Sequence, residues 1–112
     1  MTPAEFKCTR ELLGFSAQWL AVRFNVSLRT IQRFEDGTQP IPAGISEELE
    51  EIDRSIAAAI DGYITFFGNK SDATLEVPRV DADAIGGLPA SAHRAIAARV
   101  RQILPGLHLE FI

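Results

Sequence analysis

From residue 4 to residue 36, apolar positions recur at steps of three and four, and short breaks interrupt them. That period belongs to helices that bury one face. The first run, AEFKCTRELL (4–13), sets Phe6, Arg10 and Leu13 on neighbouring turns. Pro3 stands at its entry and Gly14 at its end. A second helix is predicted over 17–24, AQWLAVRF, with Ser16 as its N-cap and Leu20, Ala21 and Phe24 inward. Asn25 falls where the chain must turn sharply, and asparagine tolerates the left-handed conformation better than most residues. Ser27 caps a third helix, 28–36, which Gly37 stops.

TQPIPAGI (38–45) has two prolines and a glycine and reads as a turn or linker. Ser46 then opens a long helix to Phe67. Ile45, Leu49, Ile52, Ile56, Ala59, Tyr63 and Phe67 form its apolar stripe, about three heptads long. GNKSDA (68–73) is a turn. TLEV (74–77) alternates as a strand, and Pro78 ends it or confines it to an edge. Residues 79–88 read as a loop. Pro89 starts a helix with Ala92, Ile96, Val100 and Ile103 on one face and Arg94 and Arg101 on another. LHLEFI (107–112) closes as a strand. The expected fold is mainly α, with a small strand–helix–strand (α+β) appendage at 68–112.

Charge refines this layout. The net charge of −4 argues at first against a polyanionic partner. Residues 1–45, however, carry five cations against four carboxylates. Residues 46–67 carry six carboxylates and only Arg54. The acid is concentrated in one segment, and a ligand responds to the local field. The single cysteine, Cys8, rules out an internal disulfide and suits a reducing, cytoplasmic setting. The N-terminus lacks a long apolar run, so a secretory signal is not expected. No stretch is apolar enough to predict a membrane span.

The stretch SAQWLAVRFNVSLRTIQRFEDG (16–37) resembles the helix-turn-helix of the Cro/repressor (XRE-like) family. The likeness extends with the first helix over about residues 3–45. Leu20 and Ala21 stand at tight-packing positions, Val26 and Ser27 end the turn, Thr30 and Ile31 follow, and Glu35 and Gly37 close the motif. Two positions depart. Asn25 replaces a turn glycine, and Ala17 replaces a glutamine that would bond a phosphate. Gln18 follows Ala17 but points about 100° away around the helix. A weaker likeness of layout, with GTQPIP before the long helix, is to repressors of phages and mobile elements, including anti-CRISPR-associated ones. Together they imply a helix-turn-helix domain (1–45), a long amphipathic helix (46–67) and a C-terminal dimerisation region (68–112).

The resemblance also implies a function. The third helix would enter the major groove of double-stranded DNA and present Ser27, Leu28, Arg29, Gln32 and Arg33. Arg29 and Arg33 could each hold a guanine through O6 and N7. Leu28 could rest on a thymine methyl, and Gln32 could hold an adenine or a phosphate. Gln18, Arg23 and Arg10 are candidate phosphate contacts. Thr30 and Ile31 face inward. Trp19 fits a packing or dimer-contact role better than a DNA-backbone one. One short helix reads too few bases to specify a site, so a homodimer on an inverted repeat is expected, acting as a repressor of its own operon. The stripe at 45–67 and the edge strands of the tail are the two candidate dimer elements. A second reading is an antitoxin-type protein, whose tail binds a partner protein while it regulates its own operon.

Catalytic candidates are few. The candidate groups are Cys8, Ser91, His93, His108 and the pair Asp81 and Asp83; Cys8 reads as a structural thiol, and His93 and His108 as packed or surface residues. Asp81 and Asp83 lack further ligands at a useful spacing. No phosphate-binding loop, dinucleotide fingerprint or paired-cysteine motif occurs. The expectation is a non-enzymatic protein without cofactor or metal.

Overall fold

The computed structural model describes residues 1–112. It is mainly helical: α1 (Pro3–Leu13), α2 (Ala17–Arg23), α3 (Leu28–Asp36), α4 (Ala43–Phe67), β1 (Thr74–Val77), α5 (Ala90–Ile103) and β2 (His108–Phe111), with one 3-10 turn at Asp81–Asp83. Two compact units divide at Arg54/Ser55, within α4. No helix is long and apolar enough to cross a membrane.

In the first unit each short helix begins at a side chain that satisfies its orphan amides. Thr2 accepts from the Glu5 amide while Glu5 accepts from the Thr2 amide, a reciprocal capping box. Ser16 accepts from the Trp19 amide, and Ser27 from the Thr30 amide. Gly14 and Gly37 end α1 and α3 in the left-handed region, at φ 76° and 82°. Asn25 takes φ 55° between α2 and α3, so the residue expected to make that turn does so. The caps fix where each helix starts. The core then fixes which face turns inward. Phe6, Leu13, Phe15, Leu20, Ala21, Ile31, Phe34 and Leu49 are buried. Phe6 meets Phe34 edge to face at 5.9 Å, a geometry that contributes about 0.5–1.5 kcal/mol beyond area burial.

Helix α4 begins three residues before the predicted start. The Ile45 and Ser46 amides bond the Pro42 carbonyl, so Pro42 opens the helix, and Ser46 is a buried residue of its first turns rather than its cap. Its buried face is also rotated. Leu49, Ile56 and Ile60 are buried, whereas Ala59, predicted inward, is exposed.

In the second unit β1 and β2 pair with each other in parallel, Leu75 opposite Leu109 and Glu76 opposite Glu110. Parallel pairing requires a crossover, which α5 supplies. The Asp81 carboxylate accepts from the Ala90 amide at 2.7 Å and thereby caps α5 from a distance. Ala90, Ala92, Ile96, Ala97 and Val100 of α5 are buried with Val77 and Leu107. Ile103, predicted on the same face, is exposed, because α5 ends there.

Candidate nucleic-acid interface

Helix α3 has two unlike faces. Ile31 and Phe34 are buried, and both α1 and α2 pack against the helix. Thr30 is half-buried, and its hydroxyl lies 2.9 Å from that of Ser27. The inward side is thereby filled, as the sequence predicts. On the outward side Leu28, Arg29, Gln32 and Arg33 are exposed. Arg29, Gln32 and Arg33 line an open hollow with Asp36 and Thr38. Ser27 is exposed as well, but its hydroxyl serves first as the cap of α3.

What surrounds these side chains decides what they can bind. The carboxylates next to them in sequence are engaged elsewhere. Glu35 turns inward to Arg10. Asp36 accepts from the Thr38 amide at 2.9 Å and its hydroxyl at 2.7 Å. Those two bonds, with the field of Arg33, hold the Asp36 carboxyl below its usual range. The ion pairs of the chain, Arg10–Glu35 and Arg23–Glu48, leave Arg29 and Arg33 out. Two guanidinium forks thus stand a helical turn apart with their donors open to solvent. Such forks match the paired acceptors of a guanine edge or a phosphate.

The flanking candidates fare differently. Arg10, predicted to touch phosphate, is committed to the interior. Its Nε and Nη2 donate to the two oxygens of Glu35 at 2.6 and 2.9 Å, and Nη1 donates to the Phe15 carbonyl at 3.0 Å. Both side chains are nearly buried, at 13% and 10% exposure. The hydrogen bonds that Arg10 donates to Glu35 raise its pKa above the ordinary value. Arg10 is therefore a structural residue that ties α1 to α3. Arg23 pairs with Glu48 at 3.3 Å, and both remain about half exposed. An ion pair that open is worth little and can exchange for another anion. Gln18 is exposed on α2, and Trp19 is half-buried with its indole stacked on Phe15 at 4.3 Å. The tryptophan is a packing residue.

Two features of this surface escaped the sequence reading. One is the contribution of Asp36 and Thr38 to the rim of the hollow. Its signal is the Asp-Gly-Thr run, in which an aspartate can accept from the amide two residues on. The other is the partner of Arg10, which lies 25 positions away. Elsewhere, His93 Nε2 donates to the Ile85 carbonyl at 2.8 Å, and Cys8 is exposed.

Neither the models of known protein families nor the curated proteins contain a match to this chain.

Proposed function

We propose that the chain is a sequence-specific, double-stranded DNA-binding transcriptional regulator that acts as a homodimeric repressor on an inverted repeat. One observation carries the reading. Arg29, Gln32 and Arg33 project from the outer face of α3 without an ion pair, while the inner face of the same helix is locked into the core. A helix held this way presents its side chains at fixed spacing, as reading a groove requires. The capping bond of Ser27 sets the start of α3, so Leu28 and Arg29 lead the helix toward the bases. Arg23 and Gln18 supply phosphate contacts beside it. Glu48 of α4 pairs with Arg23, so a phosphate there displaces that carboxylate.

The test is selection from a random duplex pool, followed by affinity measured against salt. The expected result is an inverted repeat with half-sites about 34 Å apart or a multiple of that. A steep salt dependence with no enriched sequence would leave only phosphate attraction and overturn the reading.

A further inference from the structure

The second unit holds a two-stranded parallel sheet whose outer edge lies on β2. The His108 amide bonds the Ala73 carbonyl and the Ile112 amide bonds the Val77 carbonyl, both at 3.0 Å. In a parallel ladder the backbone groups alternate in direction, so Leu109 and Phe111 aim their N–H and C=O away from β1. The chain itself closes the upstream end of that edge. The Leu107 amide bonds the Leu104 carbonyl, and the Leu107 carbonyl accepts from Arg101. The edge of β1 is a poorer template, because Pro78 follows it and Arg94 occupies the Pro78 and Arg79 carbonyls. An open edge next to apolar side chains invites another strand. Leu109 and Phe111 line an apolar hollow under α5 with Val77 and Ala97, and Phe111 is 49% exposed.

The opposite face of the sheet indicates which strand fits. Thr74, Glu76, His108 and Glu110 are all exposed there. Glu76 and Glu110 stand directly opposite each other, and neither belongs to an ion pair. Like charges so placed destabilise a sheet unless a cationic or donor group joins them. A second β2, antiparallel about a two-fold axis, can meet the first only in registers centred on a residue, since paired residues must share a face. Centred on Glu110, the register brings two glutamates to the closest cross-strand approach. Centred on Leu109, it sets Glu110 against His108 of the second copy, twice. Leu109 then exchanges both backbone bonds with its own copy, and Phe111 falls opposite Leu107 of the second copy, whose amide and carbonyl are already bonded.

We propose that β2 is the dimer seam of this chain, pairing antiparallel with β2 of a second copy about Leu109 and joining the two sheets into one of four strands. The inference rests on the homodimer in the functional reading above but not on its DNA contacts. It is therefore tested without DNA, and its failure would leave the reading of α3 standing.

The experiment is sedimentation equilibrium of the full chain and three variants. The wild type is expected at twice the chain mass. Leu109→Pro removes an amide that faces away from β1 and should give the monomer mass. Glu110→Arg sets an arginine against His108 of the other copy and should weaken the dimer about tenfold. It also relieves the Glu76–Glu110 repulsion within one chain, so the loss cannot be put down to misfolding. Adding His108→Glu to Glu110→Arg should restore the wild-type affinity. If Leu109→Pro fails to fold by circular dichroism, the charge-swap series decides. A wild-type monomer, which would leave the edge to another partner, overturns the proposal. So does a dimer that Glu110→Arg strengthens or leaves unchanged, because the two-fold axis would then lie elsewhere.

Discussion

The two units of this chain handle polar and apolar groups in opposite ways. Residues 1–54 satisfy themselves. Their short helices are capped, their inward charge is paired, and the outward arginines of α3 are the exception. Residues 55–112 leave much undone. Of nine large apolar side chains exposed in the protein, six lie there: Phe66, Val80, Ile85, Ile103, Phe111 and Ile112. Surface of that kind gathers where a protein associates. The first unit is thus finished as a fold and unfinished as a ligand surface. The second leaves both a sheet edge and apolar side chains open, and the proposed dimer would make its stability depend on concentration.

The sharpest way to break the first unit is to split its interior ion pair. Glu35→Ala strands a nearly buried guanidinium and should cost about 3–5 kcal/mol in urea unfolding. Replacing both partners, Arg10→Met with Glu35→Leu, should recover most of that. Equal losses in the single and double variants would show that the pair is not an energetic unit.

A comparable effect separates two positions on α5. Ile96→Ala, at a buried site, should cost about 2–5 kcal/mol. Ile103→Ala, at a site 61% exposed, should stay within about 0.5 kcal/mol when measured dilute. Similar costs at both sites would erase the contrast between filled and unfilled faces.

Next come the arginines proposed to read the groove. Arg29→Ala and Arg33→Ala should leave the thermal midpoint nearly unchanged. Each should also relax base preference at one position per half-site by about 1–3 kcal/mol, scored by competition with single-base operator variants. An unchanged preference would displace α3 from the groove register.

The smallest effect lies at the acid end. Glu5 is held low mainly by the Thr2 amide, and Asp36 mainly by the Thr38 hydroxyl. Carboxyls depressed in the fold add stability that is complete above their ordinary values of 4.5 and 3.8. It fades as pH falls through the lower, folded values. The thermal midpoint should therefore drop on acidification below about pH 4. Thr38→Val should shrink that drop, and an identical drop would remove Asp36 from the account.

Local signals were the legible ones. Ser16, Asn25, Ser27 and Gly37 each act on their own backbone, so the start of α2 and the bounds of α3 follow from four positions. Arg10 shows where locality ends. It lies on turns next to Phe6 and Leu13, and the sequence reads it as a phosphate contact, whereas the structure buries it against Glu35. Naming Glu35 needed the crossing of α1 and α3. The same holds for the strands. Their alternation was plain, but that they pair with each other, in parallel, is settled by how α5 returns the chain. For α4 the long apolar stripe fits several rotations a residue apart, and Ile60 rather than Ala59 is the buried position. The arginines of α3 were legible as exposed, but that neither forms an ion pair with Glu35 or Asp36 was not.

The Arg10 fork also acts as an alignment device. Apolar contacts between helices fix which face turns inward but have no direction of their own, so they leave small rotations of the helix open. A planar guanidinium gripping both oxygens of one carboxylate and a carbonyl tolerates none. The rotation of α3 about its own axis, and hence the bearing of Arg29 and Arg33, is keyed to a residue on another helix whose own donors are all turned inward.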